Sequence, residues 1–167
     1  RNLLAAFDAP CLRGGAALSR STPVGPCKAF PSQAASLAIP YADGVVLIGD
    51  AAGYTDPIFG QGLSVTLRDA HAVRDVLLET AQWSGTMFAS HAAQRGELLR
   101  RVRCMTRFGA TLFARFDADG IATRTRAMQR MAERPELGVL VGAAIAGPDA
   151  FPPEVFTDSF YDALFAP

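Results

Sequence analysis

Residues 44–78 read GVVLIGDAAGYTDPIFGQGLSVTLRDAHAVRDVLL, and the order of elements in that stretch decides the fold. Asp43-Gly44 just before it is a turn signal. Val45 to Ile48 is a continuous aliphatic run rather than an alternating one, so it suits a strand buried on both faces of a parallel sheet. Gly49 to Gly60 is rich in Gly, Asp and Pro and reads as loop. From Gln61 to Glu79 the residues Leu63, Leu67, Ala70, Val73 and Leu77 recur at helical spacing. A strand ending in Gly49-Asp50 places a carboxylate at the carboxyl edge of the sheet, where α/β proteins bind ligands. Ala51, Ala52 and Gly53 are small enough for a ligand to approach the backbone. Gly60-Gln61-Gly62 presents bare N–H groups and the positive end of a helix dipole, which suits an anion or a partly negative heteroatom.

On the N-terminal side, Arg1 to Phe7 reads as the end of a helix and Asp8 to Thr22 as loop. Val24 to Phe30, crowded by Pro23, Pro26 and Pro31, is at most a short edge strand. Ser36 to Ile39 is a second short extended piece. On the C-terminal side, Ser84 caps a long helix reaching to about Phe116, basic at Arg95, Arg100, Arg101, Arg103 and Arg107 and aromatic at Phe108, Phe113 and Phe116. Asp119 to Glu133 is a polar helix. Pro135 to Ala146 is an apolar one, opened by proline and closed by Gly147-Pro148. The tail holds Phe156, Phe160, Tyr161 and Phe165, expected to pack on another surface. The segments therefore divide as 1–43 (connecting), 44–80 (ligand-binding turn and helix) and 81–167 (helical).

The chain has 167 residues, half of them hydrophobic. That is room for an ordinary core and too apolar for a disordered chain. Sixteen basic residues balance sixteen acidic ones, so neither nucleic acid nor an anionic membrane surface is an expected partner. The longest apolar stretch, Leu137 to Ala146, is far too short to span a membrane. Cys11, Cys27 and Cys104 are odd in number and far apart, which argues for a reducing, cytoplasmic compartment and against a zinc site. The chain opens on Arg1 inside a helix-like segment, so the expectation is the C-terminal part of a longer protein.

Gly49, Asp50, Ala51, Ala52, Gly53, Pro57, Gly60, Gln61, Gly62, Ser64, Asp69 and Ala70 together resemble the second FAD-binding motif of the flavoprotein monooxygenases of the para-hydroxybenzoate hydroxylase type. The family pattern is G-D-A-A-H-x(3)-P-x(2)-G-Q-G-x-N-x(4)-D-A. Gly53 stands where many members have His, and Ser64 where many have Asn. The motif region covers about a fifth of the chain. The resemblance implies an α/β fragment: the last strand or strands of a FAD-binding parallel sheet, followed by a mostly helical C-terminal region.

It also implies roles. Asp50 hydrogen-bonds a ribityl hydroxyl of FAD, or is a simple turn aspartate after a strand; Gly49 and the backbone of Ala51 and Ala52 lie near the ribityl or pyrophosphate chain, or the two alanines are only tight packing. Pro57 lies beside the isoalloxazine, or is only a rigid loop proline. The Gly60, Gln61, Gly62 and Leu63 backbone faces flavin N1 and O2, where the helix dipole favours the anionic reduced form. Asp69 bonds back to the glycine-rich loop, or pairs with Arg68 or Arg74. His71 and His91 read as solvated or structural, the arginines from Arg95 to Arg107 as a solvated face or a contact to a missing half rather than a phosphate site, Phe108, Phe113 and Phe116 as core, and Cys104 as a buried small apolar residue.

The activity implied is that of a monooxygenase in which NAD(P)H reduces FAD, oxygen adds at flavin C4a, and the hydroperoxide passes oxygen to a small organic substrate; no side chain here is assigned as catalytic. In the family an N-terminal Rossmann half with a GxGxxG loop holds the adenosine. No segment here matches it, so that half, or a subunit carrying it, is an expected partner, and the chain alone is expected to be inactive. The alternatives are a non-catalytic fragment acting by association with another subunit, and an FAD-dependent reductase or halogenase. Lys28, the sole lysine, is a poor halogenase candidate.

Overall fold

The computed structural model describes residues 3–26, 28 and 34–166 and divides into two units, 1–31 and 32–167. The first unit holds a 3-10 turn, Leu4–Phe7, and a five-residue helix α1, Gly15–Ser19. Gly14, at φ +81°, makes the corner before α1 that its neighbours' sequence reads as loop. Cys27, Ala29 and Phe30 fall outside the described residues, so the short strand expected there does too.

The second unit is mostly helical. Strands β1 (Tyr41–Ala42) and β2 (Val45–Val46) pair antiparallel, Tyr41 opposite Val46 and Ala42 opposite Val45. Gly44 sits at φ +80°, a left-handed value that glycine adopts without a Cβ clash. Val45–Ile48 is thus, among the described residues, one arm of a hairpin rather than a strand covered on both faces, and Val45 is 55% exposed. The ladder ends early for a chemical reason. Leu47 N–H reaches the Pro40 carbonyl at 2.8 Å, but a proline has no N–H to return. The extended piece at 36–39 does find a partner, because Ala35 N–H donates to the Tyr54 carbonyl and Leu37 N–H to the Ala52 carbonyl.

Helices follow in the expected order, α2 (Gly62–Glu79), α3 (Ala89–Phe113), α4 (Ala118–Glu133) and α5 (Val139–Ala146), and the tail adds a further helix, α6 (Asp158–Phe165). Ser84 precedes a 3-10 turn, Gly85–Phe88, and its side chain makes no cap bond. Asp117 caps α4 by accepting from Gly120 N–H, and Thr157 caps α6 by accepting from Phe160 N–H. No described helix is long and apolar enough to cross a membrane.

Helix α3 organises the packing. Its inward face carries Leu98, Leu99 and Val102 against Val65 of α2, then Met105, Phe108 and Leu112 in a cluster with Ala127, Leu137, Leu140, Phe156 and Leu164. The surface on which the aromatic tail packs is that of α3: Phe165 meets Phe108 edge to face at 5.6 Å, and the Tyr161 hydroxyl bonds Thr111 at 2.6 Å. The aromatic end of α3 also differs from expectation. Phe108 is buried, but Phe113 and Phe116 are 54% and 77% exposed, because the chain turns away into α4 after Phe113. Phe108→Ala is therefore expected to cost about 3–5 kcal/mol of unfolding free energy. Phe116→Ala should stay within about 0.5 kcal/mol; urea unfolding of the two variants checks the contrast.

Candidate functional site

The turn Gly49–Ala51 leaves β2 as one 3-10 turn, with Gly49 at φ +55°. A Cβ on Gly49 would lie 2.5 Å from the Thr66 hydroxyl of α2, so only glycine lets the turn sit this close to the helix. Gly53 explains its own departure from the motif. A Cβ there would meet Ser36 at 2.8 Å and the Ala35 carbonyl at 2.9 Å, so the pairing with residues 35–37 leaves no room for a histidine.

Beneath the turn lies an ion pair that joins three elements. Asp69 of α2 and Arg95 of α3 are each 2% exposed at the side chain, with Arg95 Nε donating to Asp69 Oδ2 at 2.8 Å. The same Oδ2 accepts Gly49 N–H at 2.8 Å. Arg95 Nη2 donates to the Gly49 carbonyl at 2.8 Å and to that of Gly53 at 3.5 Å, while Nη1 reaches Ala52 at 3.4 Å. Of the two readings open for Asp69, the bond to the glycine-rich loop is the one realised. Arg68 pairs with Asp149 and Arg74 with Asp75 instead. Arg95 is a correction: it is buried in the clamp and belongs neither to a solvated face nor to a contact with a missing half. Its spacing could have shown this, because Leu98, Leu99 and Val102 lie three, four and seven residues on, along the same buried face.

His91 completes the buried group. It is a structural histidine, as one of its two readings had it, and its Nε2 lies 4.0 Å from Asp69 Oδ1 with no hydrogen-bond partner. Loss of hydration pushes its pKa below the usual 6.5; Asp69 opposes that shift and Arg95 adds to it. His71 is exposed.

What the clamp presents outward is Asp50. Its carboxylate is exposed and makes no hydrogen bond or ion pair among the described residues. With Ala51, Ala52, Gly53 and Tyr54 it lines an open cavity of about 290 Å³. The second half of the motif is held separately. Pro57 opens a 3-10 turn capped by Asp56 and closed by Gly60 at φ +65°. Phe59 fills the notch at Gly109 of α3, where a Cβ would fall 2.5 Å from its ring. The Gln61 side chain donates internally, its Nε2 lying 3.4 Å from the carbonyls of Phe59 and Ala144. Gly60 and Gly62 face open space, and Leu63 is 72% exposed. As the first residues of α2, Gly62 and Leu63 have N–H groups with no acceptor inside the helix.

Chemically, the turn offers a free carboxylate on a rigid, small-residue backbone, able to accept from hydroxyl groups. The start of α2 offers N–H donors and a dipole suited to negative charge. A larger cavity of about 570 Å³, lined by Val46, Leu77, Trp83 and Phe88 among others, holds none of the motif residues. No protein-family model, curated protein or solved structure matches the chain.

Removing either partner of the clamp strands a buried charge. Asp69→Ala and Arg95→Ala should each cost about 3–5 kcal/mol in urea unfolding, with the double variant costing less than their sum. The histidine adds a pH signature. Its folded pKa lies below the unfolded 6.5, so the stability of the neutral form is complete above that pH. It is lost as pH falls from there through the folded value. The unfolding midpoint should decline below about pH 6.5, and His91→Gln should flatten that part of the profile.

Proposed function

We propose that this chain supplies the ribityl- and flavin-ring-facing part of an FAD site in a monooxygenase-like oxidoreductase. The observation that carries the reading is Asp50: an exposed carboxylate without a hydrogen-bond or ion-pair partner among the described residues, on a turn locked from below by Asp69 and Arg95. A carboxylate that the fold leaves unpaired, on a backbone held still, is a ready acceptor for the hydroxyls of a polyol. Gly49, Ala51 and Ala52 keep the turn narrow, so such a chain can lie against it. The N–H groups of Gln61, Gly62 and Leu63, with the helix dipole, face electron-rich ring atoms, while Gly60, whose own N–H donates to the Pro57 carbonyl at 2.8 Å, leaves the approach to them open. Pro57 fixes the approach to that helix and carries no chemistry of its own. When bound, FAD supplies the redox and oxygen-transfer chemistry, with NAD(P)H as reductant and a small organic molecule as oxygen acceptor.

The adenosine half of FAD needs a GxGxxG unit, which a second unit supplies, on the same polypeptide or on another subunit. Val45, Leu63, Leu67 and Leu78 are each more than half exposed and form apolar surface such a unit can cover. The same surface favours the alternative reading, a non-catalytic chain that acts by association alone. The free, exposed Cys11 is in keeping with a reducing, cytoplasmic setting.

Flavin binding separates the two readings. In the full gene product, Asp50→Ala should weaken FAD binding by about 1–3 kcal/mol while leaving the unfolding midpoint unchanged, since Asp50 makes no hydrogen bond or ion pair among the described residues. Quenching of flavin fluorescence on titration measures this. Unaltered FAD affinity in the variant removes Asp50 from the site, and no flavin binding by the parent protein leaves association as the function.

A further inference from the structure

A second site lies on the opposite use of α3, where its arginines line a cavity of about 470 Å³. Arg100, Arg103 and Arg107 stand three and four residues apart, so their guanidinium groups share one face of the helix. Thr157 and Asp158, at the start of α6, and Cys104 complete the wall. The charge there is unbalanced: three guanidinium groups meet one carboxylate, and adding Arg101 and Glu97 makes four against two.

Two of the three arginines are already engaged. Arg100 holds Glu97 at 2.7 and 2.9 Å and donates to the Phe156 carbonyl at 2.6 Å. Hydrogen bonds from Arg100 and Arg101 keep the Glu97 carboxyl low, at about 2, so it stays ionised. Arg107 donates to Asp158 at 2.5 Å and lies 3.7 Å over the Tyr161 ring. Arg103 differs. Its Nη2 donates to the Ser36 hydroxyl, its Nε is buried with no hydrogen-bond partner, and no carboxylate pairs with it among the described residues. Burial pushes the Cys104 thiol upward, so it stays neutral and adds no competing negative charge. A guanidinium with no carboxylate counter-ion among the described residues, on a cavity wall beside two more, is a site for an anion. A phosphate matches it best, because its oxygens accept from several guanidinium forks at once and its double charge equals the local excess.

We propose that this cavity binds a phosphate group, held by Arg103 and Arg107, with Asp158 occupying Arg107 as an internal competitor until the ligand arrives. The cavity exceeds the size of a phosphate ion, so either inorganic phosphate or the phosphate of a small ester satisfies the chemistry.

The test is isothermal titration of the full chain with inorganic phosphate and with glycerol 3-phosphate at constant ionic strength. Saturable binding of one phosphate is expected. Arg103→Gln should weaken it by about tenfold or more. Asp158→Asn, a change at an exposed side chain that preserves the fold, should tighten it several-fold by releasing Arg107. Tighter binding of the ester assigns an organic phosphate, and equal or weaker binding assigns the free ion. The proposal is overturned if phosphate does not saturate the protein, if acetate competes equally well, or if Asp158→Asn and Arg103→Gln, both folded by circular dichroism, bind phosphate as the parent does.

Discussion

The ion pair between Asp69 and Arg95 is the constraint on which the second unit's arrangement rests. Burying two charges is costly, and their mutual attraction alone offsets only part of that cost. Here the remaining hydrogen-bonding capacity is absorbed by the loop itself: one amide and three carbonyls between Gly49 and Gly53 complete the pair. The dependence is mutual. Without the guanidinium, Asp69 would be a buried charge without its counter-ion and the Gly49 and Ala52 carbonyls would keep only their backbone donors, and without the loop the ion pair would be unsaturated. The clamp therefore fixes three things at once: the exit of the chain from the hairpin, the approach of α2 to α3, and the orientation of the residue that points out, Asp50.

That division of labour makes sense of the motif. The residues that resemble a flavin-binding signature fall into two sets. Gly49, Gly53, Asp69 and the side chain of Gln61 build the scaffold, through close approaches and internal hydrogen bonds. Asp50, Ala51, Gly62 and Leu63 face outward and remain available, and Gly60 faces open space with its N–H spent on the Pro57 carbonyl. Spacing in the sequence carries both sets together, because a turn that must hold still and also meet a ligand needs glycines and small residues for each purpose. The arginine row farther along α3 follows the same logic with the roles reversed, since there the fold spends Arg100 and Arg107 on carboxylates and leaves Arg103 over.

Much of the architecture was legible because it rests on periodicity and punctuation. Asp43-Gly44 turns where it should, α2 begins one residue after the expected Gln61, α4 begins one residue before Asp119, and Gly147 ends α5 at φ +87°. Less legible were features that depend on what lies across from a residue. An aliphatic run such as Val45–Ile48 looks buried on both faces, yet pairing depends on partners, and Pro40 limits the one it has. Arg95 was hidden because apolar periodicity counts an arginine as surface, although its helical phase matches Leu98, Leu99 and Val102. Phe113 and Phe116 have core chemistry but sit where α3 runs out of neighbours, whereas Phe156 and Phe165 find their neighbours within the chain. His91 is structural, one of the two readings its sequence left open, but nothing in one sequence shows that it lies beside Asp69.

The central claim, that the clamped turn and the start of α2 form one flavin-facing surface, is tested most directly by hydrogen exchange with mass-spectrometric readout on the full gene product, with and without FAD. The account predicts that FAD slows exchange in peptides spanning residues 49–53 and 60–64, and leaves those spanning residues 100–107 and 151–165 unchanged. Exchange at residues 49–53 and 60–64 that is the same with and without bound FAD would contradict it.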